Sequence, residues 1–137
     1  RSLMNIPIFF WGKKELFQGP FGWMFRWLGG YPVDRGKKSN LVDAIVDIYN
    51  SNSEFHAVLA PEGTRKDVQE LRTGFYYIAV KAQVPILMIG FDYVNKRIVI
   101  REPFMPTGNF EIDKLEIAKF FQGIPGVQKS WIKNYLV

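Results

Sequence analysis

Two short runs in this 137-residue chain put polar side chains where backbone can close on a ligand. The first is Gly29-Gly30-Tyr31-Pro32-Val33-Asp34-Arg35. Its glycines allow a turn that a larger side chain would block, and Arg35 offers a planar fork of donors suited to a phosphate. The second is Ala60-Pro61-Glu62-Gly63-Thr64-Arg65-Lys66, which crowds a carboxylate, a glycine, a hydroxyl and a guanidinium together just after an apolar run. In open α/β sheets ligands bind at the carboxyl ends of strands, so such a loop in such a place is a candidate anion site. Its plainer reading is a solvated turn in which Glu62 and Arg65 make a surface ion pair of small worth. A third run, Val84-Pro85-Ile86, says little alone, because a proline opening a strand is ordinary.

Other chemistries find little support. The chain has no Cys, which excludes disulfides, thiolate nucleophiles and Cys-ligated metals, and fits a reducing compartment. One His and scattered carboxylates give no metal-ligand cluster, so no metal is expected. That lone His56 sits beside an apolar run and reads as structural rather than as a base. Ser39 and Thr64 lack the surroundings of a Ser-centred nucleophilic site, which disfavours covalent catalysis.

The elements that must carry these runs follow from periodicity. Phe9-Phe10-Trp11 reads as a strand. Phe21 to Leu28 reads as a short helix with Phe21, Met24, Phe25 and Leu28 on one face, stopped by Gly29-Gly30, and Tyr31 to Arg35 as a brief extended segment. Asn40 is placed to cap a helix bearing Leu41, Val42, Ile45, Val46 and Tyr49 at helical spacing. Phe55 to Ala60 reads as a strand ended by Pro61, which sets the second polar run on the loop beyond it. A helix is expected over about 74–82, and the continuously apolar Ile86 to Phe91 reads as a strand covered on both faces. Arg97 to Arg101 lies a hairpin's distance further on, and helices are expected over 111–121 and 130–137. This alternation predicts an α/β layered domain with a mixed, largely parallel β-sheet flanked by helices.

Charge is distributed unevenly. Residues 1–38 hold seven basic residues against two acidic ones, the whole of the net +5, while the rest of the chain holds eleven of each sign. The same stretch contains Trp11, Trp23 and Trp27. Basic residues interleaved with Trp and Phe suggest a surface that meets anionic lipid headgroups. No apolar stretch approaches the roughly 20 residues that a bilayer-crossing helix needs. A nucleic-acid module is disfavoured, because the basic excess is local and no recognition signature of the common folds is visible.

In their order, these runs resemble the glycerolipid acyltransferase family that includes the 1-acylglycerol-3-phosphate acyltransferases. The resemblance runs from Lys13-Lys14-Glu15-Leu16 through Phe21-Gly22-Trp23 and the Gly30 to Arg35 block to Pro61-Glu62-Gly63-Thr64-Arg65 and Val84-Pro85-Ile86. It implies transfer of a fatty acyl group from a coenzyme A or acyl-carrier-protein thioester, as co-substrate and without a bound cofactor, to a hydroxyl of a lysophospholipid or glycerol phosphate. It also implies peripheral attachment to the cytoplasmic side of a membrane. Arg35 would contact the acceptor phosphate, and Gly30, Glu62, Gly63, Thr64 and Arg65 would shape the site, with Lys13, Pro61 and Pro85 in support. The family's His-x-x-x-x-Asp block, where His is general base and Asp orients it, is not matched, since the residue five after His56 is Pro61. That block is expected upstream of Arg1, making 1–137 one acyltransferase domain lacking its amino-terminal piece, and inactive alone. The alternative is a non-catalytic lipid- or phosphate-binding domain that kept the acceptor site and lost the base.

Overall fold

The computed structural model describes residues 8–33 and 38–137. The chain divides into two compact units, Arg1–Leu59 and Ala60–Val137.

In the first unit β1 (Ile8–Lys13) is the middle strand of a three-stranded sheet, parallel to β2 (Gly30–Val33) on one side and to β3 (His56–Ala57) on the other. Two helices connect β1 to β2. The first, α1 (Lys14–Gln18), was not anticipated, and α2 (Gly22–Trp27) falls within the expected 21–28. The next helix, α3 (Lys38–Ser51), includes residues ahead of Asn40, so Asn40 lies in its first turn instead of capping it. Ile45 is buried on the expected stripe, and Tyr49 meets the Phe55 ring edge-on at 4.8 Å. The strand read over 55–60 pairs only at His56 and Ala57. Phe55 ahead of the pairing is buried, whereas Val58 and Leu59 beyond it are exposed.

The second unit follows the predicted order closely. It contains α4 (Gly74–Ala82), β4 (Ile89–Asp92), β5 (Arg97–Ile100), α5 (Phe110–Gln122) and α6 (Ser130–Tyr135). Helix α4 is stopped by Gln83 in the left-handed conformation, φ 54°. Helix α5 starts where the Asn109 side chain accepts from the Glu111 N–H at 3.1 Å, and Glu111 and Asp113 in its first turn suit the positive end of the helix dipole. Strands β4 and β5 form the expected antiparallel hairpin, with Ile89 opposite Ile100 and Asp92 opposite Arg97. Buried Asp92 closes that hairpin by accepting from the Asn95 N–H (2.9 Å), Asn95 Nδ2 (2.8 Å) and Arg97 Nε (2.8 Å). Parallel and antiparallel pairing are thus both present, in two separate small sheets.

The reading of 86–91 as a strand covered on both faces is corrected. Ile86 makes only an isolated bridge to Phe104, and alternate residues point opposite ways: Met88, Gly90 and Asp92 are buried, whereas Leu87, Ile89 and Phe91 are exposed. The inner face packs tightly, since a methyl group added at Gly90 would meet the Ile124 side chain at 2.1 Å. A continuous apolar run cannot report which of its faces is covered.

Helices α5 and α6 supply most of the core, with Ile117, Ala118, Trp131, Ile132 and Tyr135 around Leu71 and Met88. A polar knot joins α4 to the start of α5. Fully buried Tyr76 donates its hydroxyl to Asp113 Oδ2 at 2.6 Å and accepts from the Gly108 N–H at 3.0 Å. The same carboxylate oxygen accepts from the Thr107 N–H (2.7 Å) and hydroxyl (3.1 Å). Burial and the neighbouring Asp113 both push the Tyr76 phenol above its ordinary value. Tyr76→Phe strips an acceptor from Gly108 and a donor from a buried carboxylate. It is expected to lower unfolding stability by about 1–3 kcal/mol, seen as a lower urea midpoint with unchanged denaturant slope.

Candidate functional site

The run Pro61-Glu62-Gly63-Thr64-Arg65 forms a turn, as expected. The Gly63 N–H donates to the Ala60 carbonyl at 3.0 Å, closing a four-residue turn with Pro61 at its second position, where the ring's fixed φ is favourable. Gly63 has φ 65°, a left-handed conformation that disfavours other residues. A Cβ there would also lie 2.8 Å from Arg72 Nε, so the glycine is what lets the Arg72 side chain lie against the turn. The Arg72 N–H donates back to the Pro61 carbonyl at 2.9 Å. The Thr64 hydroxyl accepts from the Lys66 N–H at 3.2 Å, stiffening the next bend.

Acidic and basic side chains of this loop go to different places. The Glu62 carboxylate accepts from Lys129 Nζ at 2.9 Å and from the Trp131 indole N–H at 3.0 Å. Asp67 accepts from the Ser130 N–H at 3.0 Å and from the Ser130 hydroxyl, capping α6 from across the unit. These bonds hold the Ser130 hydroxyl and N–H on the Asp67 carboxylate and keep its pKa below the ordinary range. Further links run from the Trp131 N–H to the Val68 carbonyl (3.1 Å), from the Leu71 N–H to the Tyr135 hydroxyl (2.8 Å) and from Asn134 Nδ2 to the Gln69 carbonyl (3.0 Å). Arg65, Lys66 and Arg72 are exposed and have no ionic partner among the described residues. The Glu62–Arg65 ion pair of the plainer reading is therefore not formed, and Glu62 pairs with Lys129 instead.

The other expected site residues fall as follows. Arg35 lies outside the described residues. Lys13 ends β1, in register with Val33 of β2. Gly30 opens β2 and is buried, and a Cβ on it would lie 2.7 Å from both the Phe17 ring and the Phe25 carbonyl oxygen. Its smallness therefore serves packing within the first unit. Pro85 is exposed in the segment after α4. Sequence reasoning missed Arg72, Lys129 and Trp131, whose places beside Gly63 and Glu62 come from contacts between distant parts of the chain. A cavity of about 540 Å³ opens elsewhere in the second unit, among Glu70, Tyr77, Glu111, Lys114 and Tyr135, and none of the expected site residues lines it.

The turn thus has a defined shape, and comparison with known proteins places the chain that carries it. The family model described as "Acyltransferase" matches residues 2–92, a stretch that contains both the Gly30 to Arg35 block and the whole turn. This chain belongs to the acyltransferase family. It is 30% identical over 111 residues to human 1-acyl-sn-glycerol-3-phosphate acyltransferase beta, an alignment covering 76% of this chain and 40% of that protein. The chain therefore corresponds to less than half the length of this relative. No solved structure matches it. Within the chain the matched stretch ends at Asp92, so the residues that clasp Glu62 and Asp67 lie outside it.

The lowered Asp67 pKa fixes the sign of a pH effect. Ionised Asp67 stabilises the fold above the ordinary carboxylate pKa of about 3.9. That contribution fades as pH falls through its lower folded value. Asp67→Asn is expected to be less stable than the parent at neutral pH, with the gap closing in strong acid. Urea unfolding across a pH series reads this, and a gap of constant size down to the lowest pH would remove the coupling.

Proposed function

We propose that the protein moves a fatty acyl group from a coenzyme A or acyl-carrier-protein thioester to a hydroxyl of a lysophospholipid or glycerol phosphate, at the cytoplasmic surface of a membrane. The observation that carries this reading is the sorting of charge on the Pro61 to Arg65 turn in a chain of the acyltransferase family. Glu62 is turned into its own unit and neutralised by Lys129, while Arg65 is held out. An exposed guanidinium two residues from a left-handed glycine suits a phosphate oxygen approaching the backbone. The name of the human relative, an acyltransferase of 1-acyl-sn-glycerol 3-phosphate, gives the same acceptor class.

In this reading Arg65 binds the acceptor phosphate, and Arg35 supplies a second fork from the Gly30 block. Glu62, Gly63 and Thr64 set the shape of the turn, with Lys13, Pro61 and Pro85 supporting. The acceptor oxygen attacks the thioester carbonyl carbon, the carbon–sulfur bond breaks, and the thiol leaves. The acceptor's proton passes to a general base, the His of a His-x-x-x-x-Asp block expected upstream of Arg1, because exposed His56 has no such spacing. The chemistry consumes no cofactor, and residues 1–137 act as one acyltransferase domain with that block.

The test is thiol release from an acyl thioester on adding 1-acylglycerol 3-phosphate, in the protein carrying its upstream block. Transfer is expected with the parent. Arg65→Ala should lose about 1.5–3 kcal/mol of transition-state binding, roughly ten- to a hundredfold in kcat/KM for the acceptor, with the donor KM little changed. Absence of thiol release with every lysophospholipid, or an unaltered Arg65→Ala enzyme, would overturn the reading.

A further inference from the structure

Helix α2 buries its smallest residue and exposes its largest. Gly22 faces inward, where a Cβ would lie 2.1 Å from the Phe17 carbonyl oxygen, so no larger residue can take its place without moving backbone. Phe17 is buried and meets the Phe25 ring edge-on at 6.1 Å, and Met24 and Phe25 are half-buried. This close approach fixes the rotation of α2 about its axis. Trp23 and Trp27, one turn apart, then point outward together, 71% and 75% exposed, with exposed Arg26 beside them. Phe21 at one end of the helix and Leu28 at the other are exposed too. By helical spacing Phe21 and Leu28 share a side with half-buried Met24 and Phe25, away from the two Trp.

A single exposed apolar residue needs no explanation, but two Trp one turn apart on the same face of a short helix form an apolar patch that does. We propose that this face of α2 is the element that seats the protein on an anionic lipid bilayer, with the indoles of Trp23 and Trp27 at the headgroup level. Three features favour lipid over a protein partner. Trp, with its apolar body and one N–H, is enriched where hydrocarbon meets headgroups. Helix α2 has no acidic residue and carries Arg26 on the Trp face. The whole net positive charge of the chain falls in residues 1–38, the segment that contains this helix, so anionic headgroups complement it. The inference deepens the membrane-surface part of the proposed function, and vesicle binding reads it without turnover.

The experiment is co-sedimentation of the protein with vesicles of phosphatidylcholine and phosphatidylserine, compared with phosphatidylcholine alone. Tryptophan quenching by lipids brominated on their acyl chains is recorded alongside. The parent, carrying Trp11→Phe so that only Trp23 and Trp27 differ from the background, should bind the mixed vesicles and be quenched, while Trp131, buried in the other unit, supplies the unquenched background. Trp23→Ala should weaken binding about tenfold, and Trp23→Ala with Trp27→Ala further still. Arg26→Gln should weaken binding to the mixed vesicles alone, with the difference lost at high salt. These positions are exposed, so circular dichroism of the variants should match the parent. Undiminished binding by the double variant, or no quenching in the bound parent, would overturn the assignment. So would parent dimers that the double variant abolishes, with no vesicle binding, because they would give the face to a second copy of the chain.

Discussion

The clasp between the 61–72 loop and the start of α6 is the constraint on which the candidate site depends. This loop has no strand to pair with, so its polar groups must be satisfied by side chains or by another part of the chain. Helix α6 supplies what is needed. Lys129 and Trp131 take the Glu62 carboxylate, and Asp67 in return caps the helix through Ser130. The exchange is reciprocal, because a helix's first N–H groups lack partners within the helix, and Glu62 and Asp67 pair with Lys129, Trp131 and Ser130 rather than with Arg65, Lys66 or Arg72 of their own loop. Its chemical result is a turn whose acids are spent internally and whose bases remain available. A motif containing both Glu and Arg thus turns its carboxylate inward and leaves its guanidinium exposed.

Much of the second unit was legible in the sequence. The α4 boundaries, the 92–97 hairpin and the two closing helices were read from apolar spacing and turn residues, signals that are local. Failures came where the answer depended on distant chain. The run 86–91 is apolar throughout, and only the packing of Gly90 against Ile124 tells which face is covered. Gly30 sits where a turn glycine was expected, yet its reason is the Phe17 ring pressed against it. At the site, the turn could be read from Pro61 and Gly63, but the fate of Glu62 could not. Its partners lie 67 and 69 residues further along, and no periodicity links them.

The relative sizes of these interactions say which part of the clasp bears the weight. Trp131 is almost fully buried, and a buried Trp removes about 150–250 Å² from water, which at roughly 25 cal/mol per Å² is about 4–6 kcal/mol before ordering costs. Its indole hydrogen bond to Glu62 and the Lys129 ion pair each contribute about 1 kcal/mol on the same scale. Packing against Phe121 and Tyr135 therefore holds the indole in place, and the hydrogen bond takes its direction from that packing. Glu62 is drawn toward a donor already fixed by the core, so the turn's shape is inherited from the hydrophobic interior. Since that interior is built largely from α5 and α6, the family-matched stretch ending at Asp92 does not contain the means of holding its own motif. The Pro61 to Arg65 turn and the carboxy-terminal helices are physically one structure, although their sequences give no sign of it.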